Sequence, residues 1–297
     1  MKLPIIKHRN AWFLFSGLLV AASIIALIVF PLKLGIDFTG GSLMEVSFAG
    51  ARPEPDAVAA VFTDQGLGET VAQTVDQKSM LVRTKGIDEP THQKVLAELK
   101  KKFGGATEKR FESIGPSVGA ELSQNAVKSL SLVLVAIAAY VAYVFRKVSR
   151  PVASWKYGLV TLIAALFHDV LLPLGLFAVL GRTHGVELNS AFVAAILTVL
   201  GFSVHDTIVV FDRIRENLLK TGGDFEEIVE RSVNETLSRS INTSLTILFS
   251  LIAIFFWGGA SLKYFALTLI VGLVAGTYSS IFLASPLLVV FQKRAVK

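Results

Sequence analysis

The chain has 297 residues, with 29 Lys and Arg against 23 Asp and Glu, and no cysteine. Hydrophobic residues make up 53% of it and mean hydropathy is +0.60, so lipid rather than protein must cover much of the apolar surface. Disulfides and thiolate metal sites are excluded. The basic residues lie mainly beside apolar stretches instead of forming one patch, which speaks for membrane orientation and against nucleic acid.

The first apolar stretch, Ala11 to Phe30, follows Lys2, Lys7 and Arg9. Its length suits a spanning helix, and Pro31-Leu32-Lys33 follows without a small-x-small cleavage signal, so it reads as an uncleaved signal anchor.

From Lys33 to about Lys128 the pattern changes. Met44, Val46 and Phe48 alternate with Leu43, Glu45 and Ser47 as a strand. Pro55–Gln65 reads as a helix with Val58, Val61 and Phe62 on one face. Val71–Val75 and Met80–Thr84 are short strands, Pro90–Phe103 is a helix, and Thr107–Ile114 is a last strand. The order β-α-β-β-α-β predicts a ferredoxin-like α+β domain, and nothing in it resembles a catalytic constellation. The expected division is 1–32 for the tail and first span, 33–125 for this domain, and 126–297 for the remaining spans.

Five more apolar stretches follow, near Leu130–Phe145, Tyr157–Leu180, Ala191–Phe211, Ile241–Trp257 and Tyr264–Phe291, the last expected to kink at Pro286. The fold class is therefore a polytopic α-helical membrane protein of six spans with one inserted domain. Between the fourth and fifth spans, Asp224 caps a segment in which Phe225, Ile228, Val229, Val233, Thr236 and Leu237 recur at helical spacing. It reads as an amphipathic helix near 224–238, on the inner membrane surface.

Charges set the topology. With the amino terminus in the cytoplasm, the inner segments hold Lys2, Lys7, Arg9, Arg146, Lys147, Arg150, Lys156, Arg213, Arg215, Lys220, Arg231, Arg239, Lys293, Arg294 and Lys297. The two short outer loops hold only Arg182 and Lys263. The positive-inside rule then places both termini in the cytoplasm and the inserted domain outside.

Ionisable residues within spans are costly and mark candidate sites. Asp206 lies about five residues before the inner end of the fourth apolar stretch, roughly 7–8 Å deep at the helical rise. It reads either as an interfacial carboxylate or as a carboxyl that loads and releases a proton; Asp is too short to snorkel that distance, which favours the second. Arg239 opens the fifth span in the same inner half of the bilayer. It is either a positive-inside flanker or a switchable partner of Asp206. His168 and Asp169 sit midway along the third span, as a mutually satisfied structural pair or as a relay. His168-Asp169 and His205-Asp206 together could hold a metal, although adjacent residues on a helix diverge by about 100°; no metal or cofactor is expected. Gly272, Gly276, Ser279 and Ser280 read as small residues for close helix packing. No Gly-Lys dipeptide occurs, so a Walker A motif is absent and energy would come from an ion gradient or a partner.

Four stretches carry a resemblance. Gly35-Ile36-Asp37-Phe38-Thr39-Gly40-Gly41, Val118-Gly119-Ala120-Glu121-Leu122, the run Val204-His205-Asp206-Thr207-Ile208-Val209-Val210-Phe211-Asp212-Arg213-Ile214-Arg215-Glu216-Asn217, and Leu237-Ser238-Arg239-Ser240-Ile241-Asn242-Thr243-Ser244 resemble the SecF family of the SecDF protein-export complex. The likeness covers essentially the whole chain. It implies the resistance-nodulation-division superfamily, a SecD-like partner, the SecYEG translocon, an unfolded preprotein as cargo and the proton gradient as driving force, in the inner membrane of a bacterium or archaeon. It also implies that Asp206 is the membrane proton carrier and Arg239 its basic partner. Relatives often carry Asn where this chain has His205, which leaves two readings open, a second titrating group or a substitute hydrogen-bonding side chain. A stand-alone proton-coupled exporter of small molecules or lipids, and a purely structural scaffold without ion flow, are the competing readings; no enzymatic activity is expected.

Overall fold

The computed structural model describes residues 3–147, 152–221 and 223–295. Of the orienting charges, Lys2, Arg150 and Lys297 lie outside the described residues. The chain divides into two compact units, one of residues 33–127 with 187–190, the other of residues 1–32, 128–186 and 191–297.

In the first unit, β1 (Gly41–Ser47), α3 (Pro55–Asp64), β2 (Val71–Thr74), β3 (Ser79–Thr84), α4 (Glu89–Phe103) and β4 (Thr107–Ile114) follow the predicted order, with a single helical turn α2 (Ile36–Thr39) before them. The strands lie in the order β2-β3-β1-β4 with every neighbouring pair antiparallel, the ferredoxin-like arrangement. Alternation along β1 sends Met44 and Val46 inward, where they join Phe48, Val58, Phe62, Met80, Val82, Val95 and Leu99 in one core. The β2–β3 connection is held by Asp76, whose Oδ1 accepts the N–H groups of Lys78 and Ser79 at 2.7 Å each. Those bonds hold the Asp76 carboxyl below its ordinary pKa.

The segment leading into β1 owes its shape to two glycines. Gly40 (φ +71°) and Gly41 (φ +124°) adopt backbone that L side chains rarely take, and a Cβ on either would come within 2.8 Å of Pro116 Cα or of the Thr84 carbonyl oxygen. This close approach lets α5 (Pro116–Val144) begin against them. That helix starts well before Leu130, where the apolar run opens, because Pro116 suits a first helical position and the polar turns that follow stay helical. Residues 187–190 also join this unit. Leu188 pairs in parallel with Leu34, Arg83 bridges to Glu187 at 2.8 Å, and the Ser190 N–H donates to Asp37 Oδ2 at 2.7 Å.

The second unit is helical. It comprises α1 (Arg9–Val29), the membrane part of α5, α6 (Ser154–Leu162), a π-helical segment (Ile163–Val170), α7 (Leu171–His184), α8 (Ser190–Thr221), α9 (Phe225–Trp257), α10 (Ala260–Ser279), a second π segment (Ser280–Ala284) and α11 (Ser285–Ala295). Among the described residues six helical stretches are long and apolar enough to cross a membrane, so the chain is a multi-pass membrane protein. Each π segment precedes a proline, Pro173 or Pro286. Proline lacks an N–H and its ring clashes with the carbonyl four residues back, so widening the preceding turn relieves both defects without breaking the span. Pro286 therefore acts through a π turn, and the Ser285 hydroxyl satisfies the Ser280 carbonyl at 3.1 Å.

The stretch near 224–238 is helical and amphipathic, with Phe225, Ile228, Val229, Val233 and Thr236 buried, but it runs without interruption into the fifth span as part of α9. Asp224 caps it through the Glu226 N–H at 3.1 Å. Its first turns also hold the amino-terminal segment. The Glu230 carboxylate accepts the backbone N–H groups of Ile5 (2.7 Å), Ile6 (2.8 Å) and Lys7 (3.3 Å), and Asn234 pairs with both polar groups of the Leu3 backbone. Ile5 and Ile6 are buried as a result.

Candidate functional site

Buried carboxylates among apolar helices need partners, because a desolvated charge is expensive. Asp169 lies within the first π segment and is wholly buried. Its Oδ1 pairs with His168 Nδ1 at 2.9 Å, and its Oδ2 accepts from Ser279 at 2.9 Å and from Ser203. The His168 ring is itself buried and stacks on Tyr278 with centroids 5.5 Å apart. The Tyr278 hydroxyl donates to the Trp12 carbonyl at 3.1 Å and lies 3.1 Å from the Ser16 hydroxyl on α1.

Asp206 lies on α8 and is half-buried. Ser240 on α9 donates to its Oδ1 at 2.5 Å, and Ser280 donates to its Oδ2. Its helix continues to Thr221, well past Phe211, where the apolar run was taken to end. Arg239, one residue before Ser240, is exposed and forms no ion pair with Asp206 in this arrangement; His205 is exposed as well. Of the sequence-derived candidates, the structure thus joins His168 with Asp169 and leaves Arg239 and His205 apart from Asp206.

The hydroxyls were the missing part. Ser279 and Ser280, read as packing residues, both donate to carboxylates, and Ser203 and Ser240 complete the sites from other helices. Close packing is what delivers them. A Cβ on Gly276 would stand 2.8 Å from Ser203 Cβ, so only glycine lets the last span approach α8 so closely. One buried and one half-buried carboxylate, each lined by hydroxyls, on six spans with an inserted ferredoxin-like unit, define a polytopic membrane protein with carboxyl groups inside its helical bundle.

Comparison with known proteins narrows that class. The family described as protein export membrane protein SecD/SecF, C-terminal, matches residues 94–294, and the SecD/SecF GG motif matches residues 25–51. The protein translocase subunit SecF of Thermobaculum terrenum is 43% identical over 98% of this chain and 95% of its own length. That of Anaerolinea thermophila is 40% identical over 98% and 94%. The crystal structure of SecDF, a translocon-associated membrane protein from Thermus thermophilus, superposes with a TM-score of 0.86 at 31% identity, over 99% of this chain and 39% of that one. A super-membrane-facing form of SecDF gives 0.70, also spanning 39% of that chain. The chain belongs to the SecF family of protein translocase subunits.

Proposed function

We propose that this chain pairs with a SecD-like subunit and uses the proton-motive force to promote preprotein translocation through the Sec machinery. Its place would be the cytoplasmic membrane, with both termini inside and residues 33–127 outside. The single observation that carries the reading is the setting of Asp206, a half-buried carboxylate on a spanning helix whose partners are the neutral hydroxyls of Ser240 and Ser280. Among the described residues no Lys or Arg forms an ion pair with it. In this reading Asp206 carries the proton. Arg239, next to Ser240 in the chain, is the basic group that reaches Asp206 in another state of the cycle and displaces its proton. Alternation between serine and arginine partners converts proton passage into movement of α8 against α9.

The test is proton flux and preprotein translocation in proteoliposomes holding the complete complex. Asp206→Asn should abolish gradient-driven flux and gradient-dependent translocation while leaving assembly with the SecD-like chain intact. Unchanged flux would remove Asp206 from the proton path.

A further inference from the structure

Asp169 and Asp206 are built alike. Each carboxylate receives two serine hydroxyls from two different helical segments: Ser203 and Ser279 for Asp169, Ser240 and Ser280 for Asp206. The last span supplies one serine to each, at consecutive positions. Along α8, Ser203 and Asp206 are three residues apart, which places the Asp169 site about 4.5 Å nearer the Ser190 end of that helix.

Both serines of the last span have a second acceptor. The Ser279 hydroxyl lies 3.1 Å from the Gly276 carbonyl, and Ser280 lies 3.0 Å from that of Thr277. A hydroxyl has one proton to donate and lone pairs to accept with. Facing an ionised carboxylate it donates inward; facing a protonated one it turns its proton to the backbone carbonyl and accepts. Each site thus tolerates both protonation states without moving a heavy atom.

Asp169 has one partner that Asp206 lacks. His168 pairs through Nδ1, and its Nε2 is buried with no hydrogen-bond partner among the described residues. A purely structural His–Asp pair would normally satisfy that second nitrogen as well.

We propose that His168 and Asp169 form a second proton-holding site in series with Asp206, on its Ser190 side. This rests on the reading of Asp206 as a proton carrier. On loading, an N–H bond forms at His168 Nε2 and the pair is neutral, imidazolium beside carboxylate. On release that bond breaks and the pair carries one negative charge, stabilised by Ser203 and Ser279. Among the described residues Tyr278 is the titratable group stacked on the imidazole, and Asp206 lies one turn along α8 from Ser203.

Proton flux in proteoliposomes of the complete complex separates the possibilities. Asp169→Asn should cut flux by about a hundredfold or more, the scale of a lost proton-transfer group, with assembly unchanged. Full flux in Asp169→Asn together with none in Asp206→Asn overturns the second site and leaves the first standing. Full flux in Asp206→Asn overturns the Asp206 reading instead. If Asp169→Asn fails to assemble, Ser279→Ala and His168→Gln keep the carboxylate, and flux equal to the parent in both would overturn the proposal. A direct readout is the infrared ring band of isotope-labelled histidine as the gradient is applied. A gradient response that is lost in His168→Gln supports the second site, and a response unchanged in that variant, or none at all, contradicts it.

Discussion

Ser279 and Ser280 are neighbours in the chain, yet their hydroxyls serve different carboxylates, Asp169 and Asp206. In a regular α-helix adjacent residues diverge by about 100°, so one short segment addresses two centres on two other helices. The π segment begins at Ser280, between the two serines.

Ser280→Ala should weaken the Asp206 site without removing its carboxyl. Ser240 remains as the sole hydroxyl donor, and the lost bond to a chargeable group is worth ~1.5–3 kcal/mol. We expect proton flux to fall several-fold with the protein still assembled, and Ser280→Thr, which keeps the hydroxyl, to restore much of it.

Gly276→Val should separate the last span from α8. The new Cβ meets Ser203 Cβ at 2.8 Å, whereas one on Gly201 has nothing within 4 Å. Overpacking of this kind costs ~1–3 kcal/mol, so thermal stability in detergent should drop and flux with it, since the Ser280–Asp206 contact crosses this interface. Gly201→Ala is the control; it should be neutral or slightly stabilising, by up to ~1 kcal/mol, from helix propensity.

Gly41→Ala should loosen the ferredoxin-like unit. The residue combines a φ of +124° with a Cβ position 2.8 Å from the Thr84 carbonyl oxygen. Strain at such a position costs ~1–3 kcal/mol. Hydrogen exchange in the full-length protein should quicken in β1 and β3 while the protection of the spanning helices stays as it was.

His92 gives that unit a pH dependence. Burial disfavours its charged ring, but hydrogen bonds and charge from Glu108 and Glu89 outweigh this and raise its pKa above 6.5. The ring lies 3.1 Å from Glu89 and stacks on Phe111 at 3.8 Å. A group raised in the folded state stabilises fully below its unfolded value of 6.5 and loses that contribution as pH rises through the folded value. Protection of α4 and β4 from exchange should therefore be greater at about pH 6 than at about pH 8, and His92→Gln should flatten the difference.

Much of the fold was legible because it rests on periodicity. Val58, Val61 and Phe62, or Met44 and Val46, declare their faces through spacing alone. A carboxylate in an apolar run such as Asp206 stands out by cost. The serines did not stand out, since small hydroxyl residues in spans read equally well as packing, and Ser203, Ser240, Ser279 and Ser280 converge only in three dimensions. The early start of α5 was hidden because the polar turns after Pro116 lack the apolar signal of a span. Glu230 carries no local signal, since its role with Ile5, Ile6 and Lys7 depends on a segment more than 220 residues away in sequence. The π segments leave no compositional trace, and their only outward signs were Pro173 and Pro286.

The second of those segments governs orientation as well as hydrogen bonding. Before it, Gly272 and Gly276 turn toward Val199 and Ser203 on α8; after it, Lys293 turns to Glu226 on α9. A π turn holds one residue more than an α turn, so it works as a rotational offset between the two halves of one span. Deleting a single residue within 280–284 would leave a helix of nearly the same length and hydropathy, able to insert as before, while turning its carboxyl-terminal half about 100° from the neighbour it now meets. Membrane insertion and bundle assembly are thus separable properties of this span, and the difference between them is one residue.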